Sequence, residues 1–304
     1  MKVVCIFALA ICKLNYKIKN KTIKMKKNIL VTGASSGFGL LVANELHKKG
    51  YNVIGTSRNP EKTQSSVPFK LLTLDITDDH SIKSFSKQLF SEIKQLDVLI
   101  NNAGFYLSGL AEETTIEQGR QQLETNFWGT VKLTNEILPY FREQRFGKII
   151  TLSSIMGLIS LPGGAYYAAS KHALEGYFRS LRFELSQFNI KVSMIEPVGF
   201  KTNIVTNSKV AENKINDYDE YRTTLEDYTK DLFMKSEEPT AVVDKLLKLV
   251  ENENPKFNYP VGKGSSLFPA IQYFSFRTFE SSIMKNINKF KKLGNESIYD
   301  KQIQ

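Results

Sequence analysis

NILVTGASSGFG, residues 28 to 39, runs a short apolar strand pattern into three glycines, Gly33, Gly37 and Gly39, and from there directly into a helical pattern. Glycine suits a chain that must turn tightly and admit a ligand against its backbone, and the N-terminus of the following helix offers free N–H groups to an anion such as a pyrophosphate. The spacing is G-x-x-x-G-x-G and not the G-x-G-x-x-G of the general dinucleotide fingerprint, so the strand-turn-helix context carries the reading. Ser35, Ser36 and Phe38 fill the loop and belong with the glycines to the expected anion cradle.

Outward from this loop, strand and helix patterns alternate without long gaps, the signature of a parallel sheet wrapped by helices. Strands are predicted at 28–32, 52–56, 69–75, 97–101, 148–153, 191–196 and 256–261, and helices at about 37–49, 79–94, 117–143, 166–188 and 239–251. The fold class is therefore α/β, a doubly wound parallel sheet of about seven strands in a single domain spanning 28–304. Two stretches interrupt the alternation. Residues 199–236 form a polar insertion of the kind that serves as a lid. Residues 265–304 are aromatic and basic, suited to packing on the sheet edge, lining a substrate entrance or touching a membrane surface.

The net charge of +10 invites a nucleic-acid partner until it is located. Residues 1–27 hold eight lysines and no acid, which leaves a charge of only +2 for the rest. Nucleic acid is therefore not an expected partner. Both cysteines, Cys5 and Cys12, also fall in this leader, so nothing calls for a disulfide framework or an oxidising compartment. The leader's apolar run VVCIFALAIC has the length of a signal-peptide core, but its A-x-A lies inside the run, and Met25 opens a second plausible start. We expect a leader outside the fold, with a basic interfacial anchor or an export signal as the alternatives. No apolar run approaches the roughly 18 residues of a membrane span, and a cytoplasmic protein, with peripheral membrane contact through either terminal segment, is expected.

At the end of the second strand an acid would accept hydrogen bonds from an adenosine ribose 2′-OH, whereas an arginine would pair with a 2′-phosphate. Here Ser57 stands in the acid's place with Arg58 beside it, which favours NADP(H) over NAD(H). NNAG after the fourth strand supplies Asn102, Ala103 and Gly104, small enough to lie against an adenine-ribose unit, and Asp75 with Ile76 ends the third strand at the expected adenine edge. An aspartate in that place is also a common neighbour of a helix cap. No metal-ligand pattern is present.

GGAYYAASKHALEGY, residues 163–177, sets two tyrosines before one lysine. A helix turns about 100° per residue, so Lys171 lies within roughly 40° of Tyr167 and roughly 140° from Tyr166. Tyr167 is the expected proton donor and Tyr166 a packing or substrate contact. Bringing a phenol from pKa 10 to near 7 needs about 4 kcal/mol, and one ammonium at about 4 Å supplies that at an effective dielectric near 20. Lys171 is thus expected to tune Tyr167 unaided.

TGASSGFG, NNAG, TNFWG, LSS and YAASK, in this order and spacing, resemble the short-chain dehydrogenase/reductase family in its single-domain branch, over about residues 28–262. EPVGFKT, GKIITLSS and NYPVGKG resemble its steroid and retinol dehydrogenase members most. The resemblance implies a Rossmann-type sheet and an oxidoreductase that moves a hydride between a nicotinamide and a carbonyl or secondary alcohol, with an apolar, steroid-, retinoid- or lipid-like substrate. It implies Tyr167 as general acid/base, Lys171 as its partner, Ser154 of the LSS pair as the residue that holds the substrate oxygen, and Asn126 as anchor of a water that relays protons to Lys171. It also implies cofactor contacts from Tyr167, Lys171, Pro197, Val198, Gly199 and Thr202. The family's Pro-Gly after the sixth strand is here Pro197-Val198-Gly199, which puts the nicotinamide carboxamide contact in question. Homo-oligomers are common in the family. From another functional class, a non-catalytic NADP-binding sensor or scaffold would share the fold but would not require the four-residue catalytic set.

Overall fold

The computed structural model describes residues 26–201 and 208–301, with side chains through 290. Residues 1–25, with both cysteines and most of the leader's lysines, lie outside the described residues, as does Thr202.

Seven strands, β1 (Asn28–Val31), β2 (Asn52–Ser57), β3 (Lys70–Thr73), β4 (Val98–Asn101), β6 (Gly147–Leu152), β7 (Ile190–Pro197) and β9 (Asn258–Val261), form one sheet in the order β3-β2-β1-β4-β6-β7-β9. Every pair is parallel. This is a Rossmann-type α/β fold. The sheet is buried on both faces, so its strands alternate between two cores. In β1, Leu30 joins one core while Ile29 and Val31 join the other. The first face is covered by α2 (Asp79–Glu92), α4 (Thr130–Gln144) and α5 (Ala165–Leu185), through Phe85, Phe141 and Phe178 among others. The second is covered by α1 (Gly37–Lys48) and α7 (Thr240–Glu251), through Val42, Leu46, Val242 and Leu246.

Chain order leaves β1 in one direction toward β2 and β3, and in the other toward β4, β6, β7 and β9. The crevice beyond the carboxyl ends of β1 and β4 is therefore the topological switch point, where ligands of such sheets bind. The glycine loop follows β1 and NNAG follows β4, so both open onto it.

One predicted helix differs. The stretch 117–143 is helical throughout but not uniformly α: α3 (Ile116–Leu123) passes into a π-helical turn at Glu124–Gly129 and then into α4. Thr115 opens α3 with a capping box completed by Gln118. The wider turn carries Asn126 and lets its side chain leave the helix to bond the chain after β4, a placement π turns often provide at functional sites.

The 199–236 insertion is tied down where it is described. Strand β8 (Lys209–Val210) pairs with β5 (Leu107–Ser108), and Gln118 binds Val210 O and Glu212 N. Helix α6 (Asp219–Met234) is held by Arg222, which donates to the buried Glu113 carboxylate and to Asp219. The C-terminal segment forms α8 (Leu267–Phe274) and α9 (Phe276–Lys301). Phe279 and Ile287 of α9 are buried, and Leu225 of α6 shares a small core with Ile287.

At the opposite end of the sheet, Lys148 of β6 is buried and donates to the carbonyls of Leu249 (2.7 Å), Val250 (2.9 Å) and Asn252 (2.6 Å), which closes the C-terminus of α7. Lys148→Met removes a charged donor from three carbonyls and is expected to cost about 2 kcal/mol. Urea unfolding checks this; an unchanged midpoint and slope would contradict it.

Candidate active site

The glycine loop has the shape of an anion cradle. Gly33 and Gly37 sit at φ +64° and +55°, a region open to glycine. A Cβ at Gly39 would fall 2.3 Å from Gly33 O and 2.4 Å from Asn102 Nδ2, so the loop folds over the start of α1 only with glycine there. Ser36, at the N-cap of α1, makes no side-chain capping bond, and the first turn holds no acid, which leaves helical N–H groups free for a phosphate. Ser35 lies within the loop, and Phe38 stands edge-on to Phe200 at 6.1 Å.

The loop is bolted to the end of β4. Asn102 donates from Nδ2 to Thr32 O (2.8 Å) and Gly33 O (3.2 Å), and Thr32 Oγ1 accepts from Asn102 N and Ala103 N, both at 2.9 Å. The side chain of Asn102 is thus spent on the loop. Gly104 is needed for a different reason: a Cβ there would come 3.0 Å from Asn126 Oδ1.

At the end of β2, Ser57 Oγ accepts from Asn59 N, while Arg58 is exposed and without a hydrogen-bond or ion-pair partner among the described residues. Asp75 Oδ1 accepts from Thr77 N (2.9 Å) and Thr77 Oγ1 (2.7 Å), the turn-forming use of an aspartate ahead of a helix, and Ile76 is buried with its carbonyl against Gly129. After β7, Pro197 is buried and Gly199 exposed. Val198 is not among the positive-φ residues, but its N–H is taken by Val261 O at 3.0 Å. That N–H pairs β7 with β9, which leaves the Val198 carbonyl for other partners.

Tyr166 and Tyr167 part as their helical angles require. The Tyr166 ring lies on α3, where a Cβ at Gly119 would approach its Cε1 to 2.3 Å. Tyr167 is 7% exposed and faces the crevice end of β6. Lys171, one turn on and also buried, donates to Leu152 O at 2.9 Å and sits 5.7 Å from the Tyr167 ring centroid. Ser154, N-cap of a short turn after β6, accepts from Met156 N at 3.1 Å and lies beside the Tyr167 phenol. Ser153 points elsewhere, into buried surroundings next to Glu175. Asn126 is 1% exposed; it accepts from Phe105 N, donates to Phe105 O, and donates to Ser170 Oγ at 3.3 Å, one residue before Lys171. The structure therefore brings Ser154, Tyr167 and Lys171 together beyond the carboxyl end of β6, and Asn126 reaches Ser170, the neighbour of Lys171 in α5.

Their electrostatics correct one expectation. Lys171 does not bring Tyr167 toward neutrality in the protein alone. Burial pushes the phenol up to about 12, against the smaller pull of the Ser154 hydroxyl, and burial brings Lys171 down to about 8. The Coulomb figure leaves out desolvation: both groups are enclosed, so burial penalises the phenolate and the ammonium alike, and the lysine directs a hydrogen bond to Leu152 O. The Tyr167 phenol is thus protonated at neutral pH.

Sequence reasoning missed two neighbours. Tyr106 meets Tyr167 edge-on at 4.8 Å, with its hydroxyl donating to Gly163 O at 3.3 Å. Phe279 of α9 is buried in the same cluster as Tyr167, Ile155, Met156 and Ile159. Neither carries a local signal. Tyr106 is brought in by the turn after NNAG, and Phe279 by the C-terminal helix, which packs it on Ile155, Met156 and Ile159 after β6.

The comparisons agree with this geometry. The family model described as short chain dehydrogenase matches residues 27–213. An uncharacterized oxidoreductase, YusZ, of Bacillus subtilis is 38% identical over 278 residues, 86% of this chain and 99% of its own. The 3-ketodihydrosphingosine reductase of Bacteroides thetaiotaomicron is 38% identical over 237 residues, 77% of this chain and 87% of its own. Among solved structures, a short-chain dehydrogenase from Streptomyces avermitilis superimposes with a TM-score of 0.73 at 30% identity, covering 86% of this chain and 97% of that one. ElxO with NADP bound does so at 0.65 and 27% identity, covering 77% and 96%. With a switch-point crevice, a glycine cradle shaped for a dinucleotide and relatives that match nearly end to end, the chain belongs to the short-chain dehydrogenase/reductase family of nicotinamide-dependent oxidoreductases.

Proposed function

We propose that the protein is an NADP-dependent ketone reductase with Tyr167 as its proton donor. The observation that carries this reading is the buried Tyr167 phenol beside Ser154 and one helical turn from Lys171, beyond the carboxyl end of β6. The loop from Gly33 to Gly39 and the open N-terminus of α1 would hold the pyrophosphate, Arg58 the 2′-phosphate, Asp75, Ile76 and the Asn102–Gly104 turn the adenosine, and Tyr167, Lys171 and the Pro197–Gly199 turn the nicotinamide end, with Thr202 next to it in sequence. The cofactor supplies the hydride when bound.

The protein's own residues do the rest. Ser154 hydrogen-bonds the carbonyl oxygen and fixes its distance from Tyr167. The phenol gives its proton to that oxygen as negative charge develops there, and the Lys171 ammonium stabilises the phenolate left behind. Asn126, joined to Ser170, sits on the side from which water would restore the proton. An intact donor set of this kind argues for turnover and against a non-catalytic sensor.

The substrate reading is an apolar ketone. Leu158, Leu161, Val198, Ile271 and Ile283 pack around the Tyr167 cluster, and a relative bears the name 3-ketodihydrosphingosine reductase. Peripheral contact with an anionic membrane fits the same reading. Gln272 moors α8 to the loop after Ser154 by bonding Leu158 O and Ser160 N, while Leu267, Tyr273 and Phe274 stand exposed near Lys263 and Arg277. No helix among the described residues is long and apolar enough to cross a membrane.

Incubation with NADPH and a panel of apolar ketones is expected to oxidise the cofactor, and Tyr167→Phe to lose about a thousandfold in kcat while still binding NADPH. NADPH binding without turnover on any such ketone would sink the reading. Arg58→Ala is expected to raise the KM for NADPH about tenfold or more and to leave that for NADH unchanged; equal effects on both would remove Arg58 from the 2′-phosphate. Lys171 is charged below its shifted pKa and neutral above it, so kcat/KM for reduction is expected to hold through neutral pH and to fall as pH rises through about 8.

A further inference from the structure

Behind the lysine and the serine lies a buried pair of carboxyl groups with no part in the chemistry above. Glu175 stands one helical turn beyond Lys171 on α5 and is 4% exposed; Glu196, near the end of β7, is fully buried. A single amide bridges them: Asn258 Nδ2 of β9 donates to Glu175 Oε2 at 3.2 Å and to Glu196 Oε1 at 2.5 Å, and Tyr259 N donates to Glu196 Oε2 at 2.8 Å. On the side toward the crevice, Glu175 Oε1 and Ser153 Oγ are both buried and complete no hydrogen bond of good geometry, although they lie close enough to influence each other.

Two carboxylates bridged by one amide nitrogen and shielded from water are disfavoured from both being ionised, because their repulsion adds to the desolvation of each. The surroundings decide which one keeps its charge. Burial raises the Glu175 carboxyl too, but Ser153 from the end of β6, Arg179 and Lys171 on its own helix and Asn258 from β9 all draw it back down. Among the described residues no cation acts on Glu196, which faces Glu175, Asn258 and the Tyr259 N–H. Burial, then the charge of Glu175, pushes Glu196 up to about 8.

We propose that Glu196 carries a proton while Glu175 stays ionised, so that the pair presents one negative charge behind Lys171 and keeps that lysine an ammonium inside a closed site. Glu175 is then a positioning residue for the charge of Lys171, and Glu196 is the neutral partner that lets Glu175 be buried. The inference rests on the reading of Tyr167 and Lys171 as the proton-transfer pair.

The test compares Glu175→Gln with Glu196→Gln in the full-length enzyme, using NADPH and an apolar ketone across pH. Glu175→Gln removes the counter-charge and is expected to move the alkaline limb of kcat/KM about one unit toward lower pH. Glu196→Gln already has the charge of a protonated carboxyl and is expected to move the limb less than Glu175→Gln does. Equal shifts in both, or none in Glu175→Gln, overturn the assignment. If either variant does not fold, infrared spectroscopy of the wild-type protein decides: a protonated-carboxyl stretch is expected at pH 7 and its absence overturns the proposal. That band does not depend on turnover, so inactivity of the wild-type enzyme would count against the tyrosine reading alone.

Discussion

The account turns on an ammonium kept inside the protein. Lys171 is buried against Leu152 O and the Tyr167 ring, and a lysine there is tolerable only if its charge has partners. Its neighbours follow from that requirement. The Tyr167 ring lies beside it, β6 ends so that a carbonyl points at it, and Glu175 stands one turn on along α5. Both tyrosine and lysine stand on α5, and the same stripe of that helix continues through Leu174, Phe178 and Leu181 into the core. Catalytic distance is set by a helix that the core already holds.

The cofactor end depends on a second constraint, close approach. Gly39 must lack a side chain for the loop to fold over α1, and Asn102 then locks that loop to the end of β4. The same turn leads through Gly104 to Phe105, whose backbone holds Asn126. One run of chain therefore couples the cradle to the catalytic set, and β1, β4 and β6 carry the two halves on adjacent strands.

Much of this was legible in residue order. The seven strands read from apolar runs of four to eight residues between glycine-rich turns, because a sheet buried on both faces selects such runs wherever it is crossed. Tyr167 could be told from Tyr166 by helical angle, and Tyr166 packs on Gly119 as its angle implies. What stayed hidden depends on distant parts of the chain. The π-helical turn at Glu124–Gly129 has no propensity signature, since it exists to let Asn126 reach Phe105. Tyr106, Phe279 and the Glu175–Asn258–Glu196 bridge meet only once the sheet is assembled. The upward shift of the Tyr167 phenol also escaped, because burial is not a property of a motif.

The most direct test is a crystal structure of the protein with NADP+ and an apolar ketone analogue. The account predicts the pyrophosphate over the N-terminus of α1, the analogue's carbonyl oxygen within hydrogen-bond reach of both Ser154 Oγ and the Tyr167 hydroxyl, and Tyr166 still lying on Gly119. A carbonyl oxygen bound to some other donor, with Tyr167 turned into the protein interior, would contradict it.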